Sequence, residues 1–504
     1  MRLSRFQAAN VRQRLPLHPR TRQPTTRLLQ LGPGHGRELT TLAIETSCDD
    51  TAVAILERDD KTGEHTLLFN ERISSDHRRF RGIEPLVAVQ GHTTSLAPLV
   101  RKAVGHLPGG PASTGAAAAT TARAQRKGVP DFVSVTRGPG IMPNLSVGLS
   151  TAKGLAVAWG VPLVGVHHMQ AHALTPRLAR ALGWRMPVDD GRSGGPGGEE
   201  SLARRQGERG EDRERGPDFP FLSLLVSGGH TQLVHSRSLT DHAILATTAD
   251  VALGNLLDHS ARDILPASVL DSAPDVMYGR VLEDFAFPDG GTRAEYESAF
   301  APGRSRGAEV ADAPARSETG GYGWTLPLPL RQTRRMAYSF ASIGTTVRRI
   351  AESRRAADQD MDVDERRELA RQTMAVAFRH LVDRLCIALD GDGHHHHHHH
   401  HHSSAGAGGV RTVVLAGGVA CNRFLMHVLR ATLDARGHRD MRVVVPPPAL
   451  CTDNAAMIAW AGMEMYRAGH HTDLDVLAIN RWPMDPAQGP GILGVPGWLR
   501  RPGF

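Results

Sequence analysis

Apolar positions along the chain fall into short runs separated by polar or glycine-rich turns, and two of the runs share a plan. Thr41 to Leu56, "TLAIETSCDDTAVAIL", is an apolar run, a short polar turn and a second apolar run; Phe221 to His235, "FLSLLVSGGHTQLVH", repeats it. Each predicts a strand pair whose turn displays hydroxyls, carboxylates or backbone amides. Phe132 to Gly160 and Arg411 to Arg436 instead read as a buried strand, a tight glycine turn ("GPG" or "AGG") and a helix with apolar residues at helical spacing. Glycine there lets the backbone approach a ligand, and the N-terminus of the following helix favours anionic groups. Two well-separated units of one plan predict a duplicated, two-lobed α/β fold, with the site in a cleft outside the strand ends.

Segments of low complexity interrupt this pattern. Residues 108–128 are small and polar, and residues 189–217 are almost free of apolar side chains, so neither buries enough surface to order itself. Residues 301–322 and 355–366 are weaker cases of the same kind. Nine consecutive histidines, His394 to His402, precede "SSAGAGG". Such a homopolymer fixes no ligand geometry and reads as a loop rather than a metal centre.

Composition narrows the class. No apolar run is long enough to span a bilayer, so an integral helical membrane protein is not expected. The four cysteines, Cys48, Cys386, Cys421 and Cys451, are far apart and form no CxxC pair, which argues against a disulfide framework and a cysteine zinc site. The formal charge of +7 suggests nucleic acid until it is located. Residues 1–37 hold eight arginines and no acid, so 7 − 8 leaves −1 for the remainder. The basic, acid-free start predicts an organelle transit peptide, mitochondrial in character, and the overall charge gives no separate argument for RNA binding.

Candidate chemistry starts at "VPLVGVHHMQAHAL". His168 and His172 have the i, i+4 spacing that puts both on one helix face, suited to a divalent ion. No HExxH glutamate lies between them. A third ligand has to come from elsewhere, with Asp49, Asp50, Asp258 and Asp453 as candidates; Asp453, between a strand and a small-residue helix, either faces a cleft or caps that helix. Ser227, His230 and Thr231 lack the nucleophile-elbow pattern, and the amides of Gly228 and Gly229 are better suited to cradling a phosphate.

Six motifs in order, "AIETSCDDTAVAI", "RGPGIMPNLSVGLSTAKGLA", "VPLVGVHHMQAHAL", "LLVSGGHTQLV", "AGGVACNRFL" and "CTDNAAMIAWAG", resemble the universal tRNA threonylcarbamoyladenosine transferase family, in particular its mitochondrial branch. The resemblance runs from about Thr41 to Trp482. It implies the two-lobed fold of actin, sugar kinases and heat-shock ATPases, and one iron or zinc ion per subunit held by His168, His172 and Asp453. It also implies that the substrate contacts Leu225, Val226, Ser227, Gly228, Gly229, Asp258, Gly279 and Asn422. The implied reaction moves threonylcarbamoyl from threonylcarbamoyl-AMP to the exocyclic amine of the adenosine beside the anticodon, in tRNAs reading codons that begin with A. Asp49 or Asp50 is the expected proton acceptor. Partners are then tRNA and threonylcarbamoyl-AMP, in a homodimer of the mitochondrial matrix without membrane attachment.

The expected organisation is a transit peptide over 1–40, a first lobe over 41–175, an insertion over 185–218 and a second lobe over 220–450 with insertions near 301–322 and 394–409. A helix returns to the cleft over 451–485, and 486–504 form a tail. Three departures concern substrate contacts: the family's FDK is Leu257-Asp258-His259, its SFSGLKT is Ser339 to Thr346 "SFASIGTT", and its YPGGP is reduced to "YGR" around Gly279. Competing readings are a metallopeptidase, disfavoured by the missing HExxH glutamate, an ATP-dependent kinase or ATPase of the same fold, and a non-catalytic nucleic-acid scaffold.

Overall fold

The computed structural model describes residues 38–109, 128–184, 188–189, 217–311, 321–357, 359–391 and 409–504. Its strands are β1 (Glu38–Glu45), β2 (Asp50–Asp59), β3 (His65–Ser74), β4 (Phe132–Gly138), β5 (Leu163–His167), β6 (Val188–Asp189), β7 (Phe221–Val226), β8 (Thr231–Ser236), β9 (His242–Thr248), β10 (Ala337–Tyr338), β11 (Thr412–Ala416), β12 (Arg442–Val444), β13 (His470–Thr472) and β14 (Trp498–Arg500). The helices that matter below are α1 (Pro85–Val104), α2 (Met142–Trp159), α3 (His168–Ala181), α4 (Leu253–Ile264), α5 (Tyr278–Ala286), α6 (Ala341–Ala356), α7 (Val363–Asp390), α8 (Arg423–Ala435) and α9 (Ala455–Arg467).

The strands form two seven-stranded sheets, ordered β14-β13-β5-β4-β1-β2-β3 and β10-β9-β8-β7-β11-β12-β6. Within them β3-β2-β1-β4-β5 and β9-β8-β7-β11-β12 are the same arrangement: an antiparallel meander whose first strand is followed by two parallel neighbours. The two strand pairs expected from sequence are β1 with β2, in the register Thr41 opposite Leu56, and β7 with β8, Leu225 opposite Gln232. The inner strands are uninterrupted apolar runs because both faces are covered. In the first sheet, α1 and α2 pack on one side and α9 on the other.

Helices α3 and α9 lie between the sheets. One apolar cluster joins Ala43, Ala52 and Val166 of the first sheet, Ala171 and Leu174 of α3, Ala455 and Ala459 of α9, and Leu225 and Val414 of the second sheet. The alanine content of both helices permits this burial on all sides. The C-terminal residues complete the first sheet, with β14 as its outer strand.

Of the polar segments, 110–127, 190–216, 312–320 and 392–408 lie outside the described residues, as do residues 1–37 of the expected transit peptide, so the nine-histidine run does too. The described part of 355–366, expected as a weak insertion, instead joins α6 to α7: Arg354 and Trp324 both bond the Glu365 carboxylate, and Asp362 caps α7 by accepting from the Glu365 N–H at 2.7 Å. Charge there serves capping and pairing, which composition does not distinguish from solvation.

Candidate metal centre

Strand β5 ends at His167 and α3 begins at His168. His167 is the helix cap: its Nδ1 accepts from the Gln170 N–H at 3.2 Å and its Nε2–H donates to the Trp482 carbonyl at 2.7 Å. Burial pushes its pKa down to about 3, so it stays neutral. One turn apart, His168 and His172 present their Nε2 edges to the same oxygen, Asp453 Oδ1, at 3.5 and 3.0 Å. Asp453 is free to do so because Asn454 performs the capping, its Oδ1 accepting from the Met457 N–H at 3.0 Å. The cap alternative for Asp453 is thereby removed.

The three donor atoms lie within 4.8 Å of one another. Ligands about 2.0–2.1 Å from a tetrahedral ion stand about 3.3 Å apart, so this spacing fits one divalent cation. The donor set, two imidazole nitrogens and a carboxylate oxygen, suits iron or zinc. On His172 the other nitrogen, Nδ1, is buried without a hydrogen-bond partner among the described residues. On His168, Nδ1 faces Glu45 Oε2 at 3.3 Å and Ser47 Oγ at 3.2 Å. Burial opposes charging His168, yet the Asp453 and Glu45 carboxylates overcome it and hold its pKa up at about 10. Burial likewise opposes the Asp453 carboxylate, and the His168 imidazolium with the His172 hydrogen bond holds it well below the usual range. Such a pocket is arranged for positive charge.

The acid turn between β1 and β2 sits against this triad. Its backbone is held by α2: Thr46 Oγ1 donates to the Asn144 carbonyl at 2.9 Å, Asn144 Nδ2 donates to the Cys48 carbonyl, and the Ile141 N–H reaches the Ser47 carbonyl at 2.9 Å. Asp50 accepts from Ser74 Oγ and pairs with Arg72 at 3.2 Å. The same Arg72 nitrogen donates to Thr452 Oγ1, tying the acid turn to the Asp453 loop. Burial raises the Asp50 carboxyl to about 7 despite Arg72, and burial followed by the Asp453 charge raises Asp49.

In the second sheet, the turn Ser227 to His230 closes the β7–β8 hairpin, and the Gly228 and Gly229 positions are exposed with open space where a Cβ would stand. Two other glycines seat this turn. A Cβ on Gly417 (φ +99°) would stand 2.4 Å from the Val226 carbonyl oxygen, and one on Gly254 of α4 would stand 2.7 Å from that of Ser227. Gly254 also donates its N–H to Ser227 O at 3.1 Å. One turn along α4, Asp258 accepts from the Gly279 N–H of α5 at 2.8 Å, so these two candidates meet. Burial pushes Asp258 up to about 7 against that bond. Asn422 is placed differently: it caps α8, its Oδ1 accepting from the Leu425 N–H at 2.8 Å, and its amide nitrogen lies 3.8 Å from Met374 Sδ. Leu225 and Val226 are buried strand residues, so only their backbone serves the turn.

Burial, followed by the charges of His168 and His172, pushes the His230 pKa down to about 4. Glu45, Ser47 and Arg72 did not emerge from the sequence. A signal existed for Glu45: it is a lone acid ending an apolar strand, and a buried carboxylate needs partners.

The chain matches the family model described as TsaD: tRNA N6-adenosine threonylcarbamoyltransferase over residues 66–195 and 206–460. It belongs to that family. It is 30% identical over 479 residues to the mitochondrial tRNA N6-adenosine threonylcarbamoyltransferase of Schizosaccharomyces pombe, covering 92% of this chain and 90% of the relative. It is 31% identical to the tRNA N6-adenosine threonylcarbamoyltransferase of Brucella ovis over 89% of this chain and 96% of that one. Among solved structures, T. kodakarensis HypF aligns with 85% of this chain and 48% of its own at 12% identity and a TM-score of 0.37.

Within this threonylcarbamoyltransferase, the departures from the family motifs fall on the second-sheet side. His259 points outward from α4 beside Asp258, exposed. Ser339 donates its hydroxyl to Asp250 at 2.6 Å, and Thr345 bonds back to the Ala341 carbonyl at 2.9 Å.

Proposed function

We propose that this chain transfers the threonylcarbamoyl group from threonylcarbamoyl-AMP to the exocyclic amine of the adenosine beside the anticodon, in mitochondrial tRNAs reading codons that begin with A. The observation that carries this reading is the convergence of His168, His172 and Asp453 on one ion-sized space, in a chain of this family. His168, His172 and Asp453 would hold one iron or zinc ion, which would supply a Lewis acid for the carbamoyl-threonine end. The exposed amides of Gly228 and Gly229 face the adenylate phosphate, while Asp258, Gly279 and Asn422 frame the nucleoside side of the cleft. With both substrates oriented, the amine nitrogen forms the bond to the carbamoyl carbon, the carbon–oxygen bond to phosphate breaks, and AMP leaves with the electron pair. Asp50, raised to about 7 by burial, or its neighbour Asp49 accepts the amine proton.

A matrix-located homodimer with a removed N-terminal segment, and lobes divided near residues 175–220, complete the proposal. Its mitochondrial placement is supported by the name of the Schizosaccharomyces pombe relative. A peptidase reading gains nothing from the site: Met169, where HExxH has its glutamate, is buried in the core, and Gln170 donates its amide to the Leu239 carbonyl at 2.7 Å. The test is reconstitution of metal-loaded protein with threonylcarbamoyl-AMP and unmodified tRNA. Proteolysis without modified nucleoside would overturn the proposal.

A further inference from the structure

Glu45 is the last residue of β1 and is entirely buried. A carboxylate in that position is costly unless its oxygens are satisfied. Among the described residues its carboxylate bonds Ser47, Thr136 and His168. Oε1 accepts from the Ser47 N–H, Oε2 accepts from Thr136 Oγ1 of β4, and Oε2 also faces His168 Nδ1 at 3.3 Å. Thr136 and Ser47 therefore leave Glu45 little freedom, and the end of the first sheet aims its carboxylate at one imidazole. His172 has no counterpart, since its Nδ1 has no hydrogen-bond partner among the described residues.

An imidazole binds a cation through one nitrogen while the other carries the proton, and whatever accepts that proton fixes both the tautomer and the ring plane. From this geometry we infer that Glu45 is a positioning residue for the metal site. Ser47 Oγ also faces the His168 Nδ1, at 3.2 Å, but the charged carboxylate is the stronger acceptor of its N–H; Glu45 so keeps the Nε2 lone pair directed at the space shared with His172 and Asp453 and makes that nitrogen a stronger donor. The two histidines are then unequal: His168 is the pre-set ligand, fixed by the sheet, and His172 adjusts to it. The inference rests on reading the triad as a metal centre.

Dissociation constants for Zn²⁺ and Co²⁺ are measured by competition with a chromophoric chelator on the full chain with His394 to His402 replaced by serine, which removes the histidine run's own metal binding; this chain serves as the wild type beside Glu45→Ala, Glu45→Gln and His168→Ala in the same background. Losing such an outer partner typically weakens binding about 10–100-fold, the range expected for Glu45→Ala. Glu45→Gln keeps an acceptor oxygen but loses the charge, so it should recover part of the affinity and stay at least about threefold weaker than wild type. The ligand-field spectrum of the Co²⁺ form should change in Glu45→Ala, an effect a purely structural role does not produce. Wild-type affinity and an unchanged spectrum in Glu45→Ala would overturn the inference. If Glu45→Ala does not fold, Glu45→Gln decides alone: weakened binding supports the role and unchanged binding overturns it. A wild type that takes up no ion, or takes it up equally in His168→Ala, would instead overturn the metal reading of the triad.

Discussion

Asp258 is held in its position at a cost in stability, and that cost is measurable. Its carboxyl is pushed from 3.8 to about 7, chiefly by burial, with the Gly279 N–H and Arg262 only partly offsetting this. At about 1.4 kcal/mol per pH unit, the interval sets an upper limit of about 4 kcal/mol. Local relaxation and water access at a half-buried group reduce it, and about 2 kcal/mol is expected. The sign follows from proton binding: the folded state holds the proton more tightly, so stability falls as pH rises from the unfolded value through about 7 and then levels off. Asp258→Asn keeps an oxygen for the Gly279 N–H and removes the charge. The variant should match wild type near pH 4 and exceed it by about 2 kcal/mol at pH 8. Denaturant unfolding of both proteins at several pH values, in a range where the transition is reversible, measures the difference. Parallel stability curves, or a variant less stable at pH 8, would refute the reasoning. Because the carboxylate is proposed to contact the adenylate, the stabilised variant should bind that substrate more weakly.

Other outcomes separate scaffold from chemistry. Asn454→Ala removes a helix cap and should cost about 1 kcal/mol in metal-free protein, whereas Asp453→Ala should lose the tightly held ion in a background with His394 to His402 replaced by serine; unfolding curves and metal analysis after desalting distinguish the two. Gly417→Ala puts a side chain at φ +99° and 2.4 Å from the Val226 carbonyl, so a loss of at least about 2 kcal/mol is expected together with weakened AMP binding by calorimetry. Arg72→Met removes the cation that lowers Asp50. The acidic limb of single-turnover transfer, near pH 7 in wild type, should then move to higher pH, and a limb that stays in place would remove Asp50 as the proton acceptor.

Much of this arrangement was legible in the residues, for identifiable reasons. The β1–β2 and β7–β8 pairs announce themselves because a fully covered sheet writes its inner strands as continuous apolar runs, and the i, i+4 histidines are visible because α3 has a fixed period. The third ligand was a choice among acids, since Asp453 reaches the histidines from 281 positions away in sequence and its neighbour Asn454 offers an equally good cap. Residues 355–366 misled because a run of charges that caps α7 and pairs with Arg354 has the composition of a solvated loop. Glu45 and Arg72 were missed because their significance lies in what the fold brings beside them: Arg72 touches Asp50 at a separation of 22 residues but Thr452 at 380.

The most direct test of the account supplies metal-loaded protein with threonylcarbamoyl-AMP and unmodified mitochondrial tRNA, then measures threonylcarbamoyladenosine by nucleoside mass spectrometry, alongside Asp453→Ala. The account predicts modified adenosine from the wild type and a loss of at least about 100-fold in the variant, in line with the removal of a metal ligand. Absence of the modified nucleoside from correctly folded, metal-loaded wild type, or equal product from Asp453→Ala, would contradict it.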